Sequence, residues 1–296
     1  MSKLHECFLK YSLSVQKIQY CSHYILIYTE KQIYLFLEND IQRNHIFSLF
    51  KEINYPFYQQ AINQDDDTYG LYLFHEDQFI DFKGKIMIQA LAYLHQKTLS
   101  INSYSEQQLL DLYHSIQKKI QSVLDYYENL LDYIQSFSFP RIDYYCLIIN
   151  ISIIFQSIYQ AFYYLDEWYH HKNRDIRKAL LIPNSDFDNF CYSKNSYFYD
   201  FRGCKEDLLV YDFVSFYRCN YDKDNMKNLF LEYQKTLPYS MDEKELLFCL
   251  ISIPNIVSFE SSIYHNTVRL TKEFDYIKKT EMFVSEENKE DEKTDE

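Results

Sequence analysis

Three aspartates within residues 181–218 stand where carboxylates could take part in chemistry. Asp186 lies in a polar turn, Asp200 ends a short hairpin, and Asp212 follows twelve residues later at the start of a predicted helix. Carboxylates on loops around a hairpin can hold Mg²⁺ and orient a hydroxyl nucleophile, because phosphoryl transfer depends on positioning and charge neutralisation. Aspartates in turns also cap helices and face solvent, so these residues must be read together with the elements that position them.

The first eighty residues carry the signals of a small sheet with one helix. Residues 24–38 contain two runs rich in Ile, Tyr and Leu on either side of a polar turn at 29–32, which predicts a β-hairpin. Residues 40–53 have the mixed pattern of a helix, and residues 68–74 form another extended run.

After Gly84 the hydrophobic residues recur at helical spacing. Two long helices are predicted at 105–137 and 141–170, separated by Pro140, and helices resume after a short hairpin centred on Lys194 and Asn195. The apolar stripe of residues 105–137 predicts a core face, although a self-associating coiled coil is an alternative. This order predicts an α+β protein with two lobes, 1–80 and 81–284, followed by an acidic, disordered tail at 285–296.

Three short motifs resemble those of one kinase family. They are Tyr199-Asp200-Phe201 at the end of the hairpin, Tyr211-Asp212-Phe213 opening a helix that reaches Arg218, and Leu91–Thr98 in the first helix after residue 80. They are similar to the aminoglycoside phosphotransferase-like kinases, and most closely to their spore-coat kinase-like branch in Gram-positive bacteria. The resemblance covers most of residues 20–270, and its specific part is Asp200 to Arg218.

The resemblance implies a two-lobed, protein-kinase-like fold with a small antiparallel N-lobe and a larger helical C-lobe joined by a hinge at 75–80. It implies that Asp186 is the catalytic aspartate and Asp200 the metal ligand. Asn189 would bind the cofactor if the catalytic loop were two residues shorter than in the family. Asp212 would be structural, bracing the catalytic loop, and we interpret His95 as a structural histidine of the core.

Several departures from the family pattern argue against phosphoryl transfer. The ATP-contacting lysine falls at or near Leu37, where no cation stands within two residues, and the His-Gly before the catalytic aspartate is missing. Cys191 stands where the metal-holding asparagine is expected, and a thiol is a poor Mg²⁺ ligand. We therefore predict a catalytically degenerate member that acts as a binding or scaffold protein, with a partner in a spore coat or elsewhere.

Two alternatives stay open. The chain could be a divergent ATP- and Mg²⁺-dependent small-molecule phosphotransferase in which another cation, such as Lys31, reaches the phosphates. It could also be a helical protein that self-associates through residues 105–137.

Composition narrows the remaining function classes. The 30 Lys and Arg against 43 Asp and Glu give a net charge of −13, which disfavours nucleic acid and anionic membranes as partners. Only 3 glycines exclude glycine-rich phosphate loops, and 7 scattered cysteines without a CxxC pair suggest reduced thiols in a cytosol. The apolar run 144–165 contains three amides, so we expect a buried core helix there rather than a membrane span.

One further cluster lies at the end of the second long helix. His170 and His171 follow Asp166 and Glu167, and such residues four apart share a helix face and could bind a metal. We interpret them as the polar end of an apolar helix, where His and Lys complement the helix dipole.

Overall fold

The computed structural model divides the chain into two compact units. The first comprises Met1–Ser100, Lys178–Asn220 and Leu229–Pro238, and the second comprises Ile101–Arg177, Tyr221–Asn228 and Tyr239–Glu296. The structure describes residues 3–21, 24–38, 40, 43–63, 68–77, 82–183, 185–193 and 195–294. This division differs from the predicted boundary at residue 80, and the lobe boundaries stay a prediction.

The first unit begins with a helix and an antiparallel sheet. Helix α1 spans Lys3–Lys10, and the strands are β1 (Val15–Tyr20), β2 (Ile25–Thr29), β3 (Ile33–Glu38) and β4 (Tyr69–Phe74), in the order β1-β2-β3-β4. The β2–β3 hairpin and β4 confirm the sequence prediction, as does helix α2 at Arg43–Glu52. Strand β1 was missed because its side chains are all exposed or half-buried, so it carries no run of core residues.

A buried polar network fixes α2 to β4. The Arg43 guanidinium, which is 2% exposed, donates to the carbonyls of Tyr69 at 2.7 Å and Asn63 at 2.8 Å, and the Tyr72 hydroxyl donates to Asp40 at 2.7 Å. Gly70 is required beside this network, since a Cβ there would lie 2.4 Å from Asp40 Oδ2. Burial raises the pKa of Asp40.

The rest of the first unit carries the segment with the three aspartates. Helix α3 spans Lys83–Thr98, and strand β6 (Asp175–Leu181) pairs antiparallel with β9 (Lys205–Leu208) through its residues 178–181, which belong to this unit. Of strand β5 (Ser100–Ser103), Ser100 belongs to this unit and the rest to the second. The predicted hairpin is formed by β7 (Phe190–Cys191) and β8 (Tyr197–Phe198), and Lys194 of its turn lies outside the described residues. Helix α6 spans Val210–Asn220 and α7 spans Met226–Thr236.

The second unit is built on long helices, as the periodicity predicted. They are α4 (Glu106–Gln135), α5 (Ile142–His171), α8 (Met241–Ser252) and α9 (Ile263–Thr294). Ser105 starts α4 with a capping box, in which its side chain accepts from the Gln108 N–H and the Gln108 side chain accepts from the Ser105 N–H. The stripe on α4 is buried at Leu109, Ile116, Ile120 and Tyr127, among others, which confirms a core face. The self-association alternative therefore gains no support from this stripe.

Helix α5 is buried on one face only. Ile158, Leu165 and Trp168 are buried, whereas Ile142 and Ile149 are 72% and 76% exposed. By length and composition this helix could cross a membrane, and 28% of its most apolar window is buried. The prediction of a buried core helix is therefore correct for one side of α5 and wrong for the other.

The acidic end of the chain continues α9 as far as Thr294. The disordered tail predicted at 285–296 stays a prediction, and 295 and 296 lie outside the described residues. The helix continues because Phe283, Val284 and Glu287 are buried on one side of it, and Lys227 pairs with Glu286 at 3.6 Å. Charge composition alone did not reveal this buried face.

Candidate functional site

The loop that carries Asp186 is tied to the end of helix α6. The Asn220 side chain, which is fully buried, donates to the Ser185 carbonyl at 2.8 Å and accepts from the Phe187 N–H at 3.1 Å. Asp186 itself is half-buried and caps a 3₁₀ turn at Phe187–Asn189, where its Oδ1 accepts from the Asp188 N–H at 3.0 Å. The predicted catalytic aspartate is therefore seen as a capping residue on an anchored loop.

Asp212 joins helix α6 to the start of this loop and to helix α3. Its Oδ2 accepts from the Ile182 N–H at 2.8 Å and lies 2.9 Å from His95 Nε2. His95 Nδ1 lies 2.7 Å from the Tyr233 hydroxyl. An ionised Asp212 carboxylate only accepts, so with a neutral His95 ring this arrangement corresponds to Nε2 donating to Asp212 and Nδ1 accepting from the Tyr233 hydroxyl. Both Asp212 and His95 are buried, and burial raises the pKa of Asp212.

Asp200 occupies the predicted metal position, and its carboxylate is already paired with Arg202. Oδ1 accepts from the Arg202 N–H at 2.9 Å and from Nε at 2.8 Å, and Oδ2 accepts from Nη2 at 2.7 Å. The remaining guanidinium nitrogen donates to the Glu38 carbonyl at 2.8 Å. Asp200 is 1% exposed, and its hydrogen bonds raise the pKa of Arg202. The pair is bidentate, which is the strongest geometry for a guanidinium and a carboxylate.

Asn189, the predicted cofactor ligand, is committed to the backbone of Asp200. Its Nδ2 donates to the Asp200 carbonyl at 3.0 Å, and its Oδ1 accepts from the Asp200 N–H at 2.7 Å. The side chain is 4% exposed. The Asn189 amide thus links the loop that carries Asp186 to the segment that carries Asp200.

The predicted hinge begins at His75, whose carbonyl oxygen is occupied from within the unit. The Tyr199 hydroxyl donates to it at 2.9 Å and the Cys191 thiol donates to it at 3.5 Å. The Tyr199 ring stacks on Phe74 with centroids 5.5 Å apart and lies 6.2 Å from the Tyr24 ring. Burial raises the pKa of Tyr199. Residues 78–80 of the predicted hinge lie outside the described residues.

These residues do not fit a magnesium–nucleotide site of the kind that the resemblance implies. Both oxygens of Asp200 accept from Arg202, the Asn189 amide is bound to backbone, and the Cys191 thiol is a soft ligand. Leu37, at the position of the expected lysine, is fully buried between strands β2 and β4. No step of phosphoryl transfer can be derived from this arrangement.

Sequence reasoning missed Arg202, Asn220 and Tyr199 as parts of the site. The signal for Arg202 was its spacing, since a side chain two residues after an aspartate can fold back onto it within a turn. Asn220 and Tyr199 gave no comparable signal, because their partners lie 35 and 124 residues away in the chain.

Comparison with known proteins gives the fold. No protein family matches the sequence, and no curated protein does. Among solved structures, an aminoglycoside phosphotransferase from Alicyclobacillus acidocaldarius has a TM-score of 0.61 at 12% identity, covering 94% of this chain and 93% of that chain. Choline kinase LicA from Streptococcus pneumoniae (TM-score 0.48, 11% identity, 92% and 98% covered) and an ethanolamine kinase from Plasmodium vivax (0.41, 14%, 93% and 81%) are also similar. The chain therefore has the two-lobed, protein-kinase-like fold of an aminoglycoside phosphotransferase.

Proposed function

We propose that the chain is a catalytically degenerate kinase-fold protein that acts by binding a protein partner. The observation that carries this proposal is the Asp200–Arg202 pair. The carboxylate at the metal position is buried and neutralised by a guanidinium of the same chain. A divalent cation at this carboxylate would have to compete with the Arg202 guanidinium, which donates to both of its oxygens.

Two further features support the loss of nucleotide binding. The position of the phosphate-contacting lysine holds Leu37, whose side chain belongs to the apolar core. At the predicted hinge, the His75 carbonyl accepts from Tyr199 and Cys191. The aromatic rings of Tyr24, Phe74 and Tyr199 contact one another beside it. The hydrogen-bonding capacity of the His75 carbonyl is thus taken up by side chains of the same chain.

A surface in the second unit supports a role in protein binding. Where α4 ends and α5 begins, large apolar side chains are exposed rather than buried; they are Tyr133, Phe137, Phe139, Ile142, Tyr145 and Ile149. Contiguous exposed apolar side chains are typical of interaction surfaces. A partner that covers these side chains, in a spore coat as the resemblance implies or elsewhere, is part of this proposal.

Thermal denaturation with ATP tests the proposal. The full chain is heated with ATP up to 5 mM, with and without Mg²⁺, which is about 100 times an assumed Kd of roughly 50 µM. Binding would stabilise the folded state by roughly 2.7 kcal/mol, a rise of a few degrees in Tm, and we expect no such rise. A Mg²⁺-dependent rise that disappears in Asp200→Asn but persists in Asp188→Asn would overturn the proposal and favour a divergent phosphotransferase.

A further inference from the structure

Helices α5 and α8 of the second unit are held in a fixed antiparallel register. The Ser157 hydroxyl donates to the Ser252 carbonyl at 2.7 Å, and two turns further along α5 the Tyr164 ring lies 5.5 Å from the Phe248 ring. Continuing in the same direction brings the C-terminal end of α5 beside the first turns of α8. Side chains at the C-terminal end of α5 and in the first turns of α8 therefore project from helices whose relative position is fixed.

Three metal-ligating side chains meet there. Glu167 and His171 lie one turn apart on α5, and Glu245 projects from α8. His171 Nδ1 and Glu245 Oε1 are 2.7 Å apart, and one ligand atom from each of the three residues lies within 4.8 Å of the other two. His171 is half exposed, so an ion from solvent can reach the cluster.

The Glu245 carboxylate gives an independent sign of a missing ligand. Its side chain is 6% exposed, and its second oxygen, Oε2, is buried without a hydrogen-bond partner among the described residues. A buried carboxylate oxygen without a donor costs folding free energy, and a bound ion is one of the partners that can satisfy such an oxygen. Burial also raises the pKa of Glu245.

The local charge favours a cation rather than a further side chain. Besides Glu167, the Asp242 carboxylate also acts electrostatically on both His171 and Glu245. The neighbouring Lys172 is engaged elsewhere, because its ammonium lies 3.3 Å from Glu106 and 3.6 Å from the centroid of the Tyr169 ring.

We propose that Glu167, His171 and Glu245 form a binding site for a divalent transition metal of the Zn²⁺ class. One imidazole nitrogen and two carboxylate oxygens are ligands that Zn²⁺ accepts, and three protein ligands leave a fourth position for water. Ligand atoms around tetrahedral Zn²⁺ lie roughly 3.4 Å apart, so side-chain movements of an ångström or two close the cluster. The sequence interpretation of this helix end as polar did not include Glu245, because Glu245 lies 74 residues from His171.

Binding of Co²⁺ to the reduced, metal-stripped full chain tests the site. Co²⁺ reports its ligands by absorption, and the titration is repeated with Zn²⁺ as competitor. We expect one high-affinity ion without a thiolate charge-transfer band, and at least a tenfold loss of affinity in His171→Ala and in Glu167→Gln. The matched control is His170→Ala, which removes the exposed neighbouring histidine and is expected to change the affinity less than twofold.

Other outcomes would overturn the site. Equal affinity in the wild type and His171→Ala, or a spectrum dominated by thiolate charge transfer, would assign the metal to other residues. Absence of Co²⁺ binding at millimolar concentration would reject the site altogether. Circular dichroism of each variant establishes that lost binding does not come from lost folding. If His171→Ala unfolds, Glu167→Gln tests the site in its place, because that change is at a partly exposed position.

Discussion

Asp200 and Asp212 lie twelve residues apart and are both buried, but their carboxylates differ in how far along the chain their partners lie. Asp212 accepts from a backbone N–H and contacts His95, residues that lie 30 and 117 positions away, so it joins separate elements. Asp200 is paired with an arginine two residues away. The comparison shows that one buried aspartate joins elements that lie far apart in the chain, whereas the other is held by a close neighbour in the chain.

The largest expected effect is that of removing the Asp212 carboxylate. Asp212→Ala leaves the Ile182 N–H and the His95 ring buried without their acceptor, so we expect a loss of about 3–5 kcal/mol in the free energy of unfolding. Denaturant titration measures this loss. The control is Asp188→Ala, on an exposed side chain of the same loop, and an equally small effect of both substitutions would contradict the structural role of Asp212.

A smaller loss is expected from breaking the Asp200–Arg202 pair. Arg202→Met keeps the aliphatic stem but removes the guanidinium that pairs with a buried carboxylate, which should cost about 2 kcal/mol because the Arg202 side chain is 27% exposed. Adding Asp200→Asn should restore part of this stability, giving a coupling of about 1–2 kcal/mol in a double-mutant cycle.

The exposed pair Lys205–Asp207 provides the control for that cycle. Its ammonium and carboxylate are 2.6 Å apart, but the Lys205 side chain is 68% exposed, so Lys205→Met should cost less than about 1 kcal/mol. If the two cycles gave the same coupling, the pair at Asp200 would be an ordinary surface ion pair and the functional proposal would lose its main support.

The last expected effect is on the pH dependence of stability. Burial raises the pKa of Asp212, so the folded state binds more protons than the unfolded chain above about pH 4, the ordinary value of an aspartate. The contribution of Asp212 to the free energy of unfolding is thus fully present below pH 4 and is lost as the pH rises through the folded-state pKa. The loss amounts to at most about 1.4 kcal/mol per pH unit.

Asp212→Asn checks this dependence, because it keeps an acceptor for the Ile182 N–H and removes the charge. We expect the stability of this variant to vary less between pH 4 and 7 than that of the wild type in denaturant titrations. Parallel profiles would show that Asp212 titrates as it does in the unfolded chain.

Much of the fold could be predicted because its signals are local. The hairpin at 24–38, the capped helix α4 and the change from strand to helix periodicity after Gly84 each depend on residues close together in the chain. The spacing of Asp200 and Asp212 pointed to the kinase-like fold for the same reason. The exposed side of α5 was not predicted, because burial depends on what packs against a helix.

The sequence alone therefore determined the fold class, the positions of the aspartates and the absence of a lysine near Leu37. Only the tertiary structure decided how these positions are used. The contacts of Arg202 with the Glu38 carbonyl and of His171 with Glu245 join residues 164 and 74 positions apart. No local periodicity encodes such pairs, because their distances are set by the packing of whole strands and helices rather than by spacing along the chain.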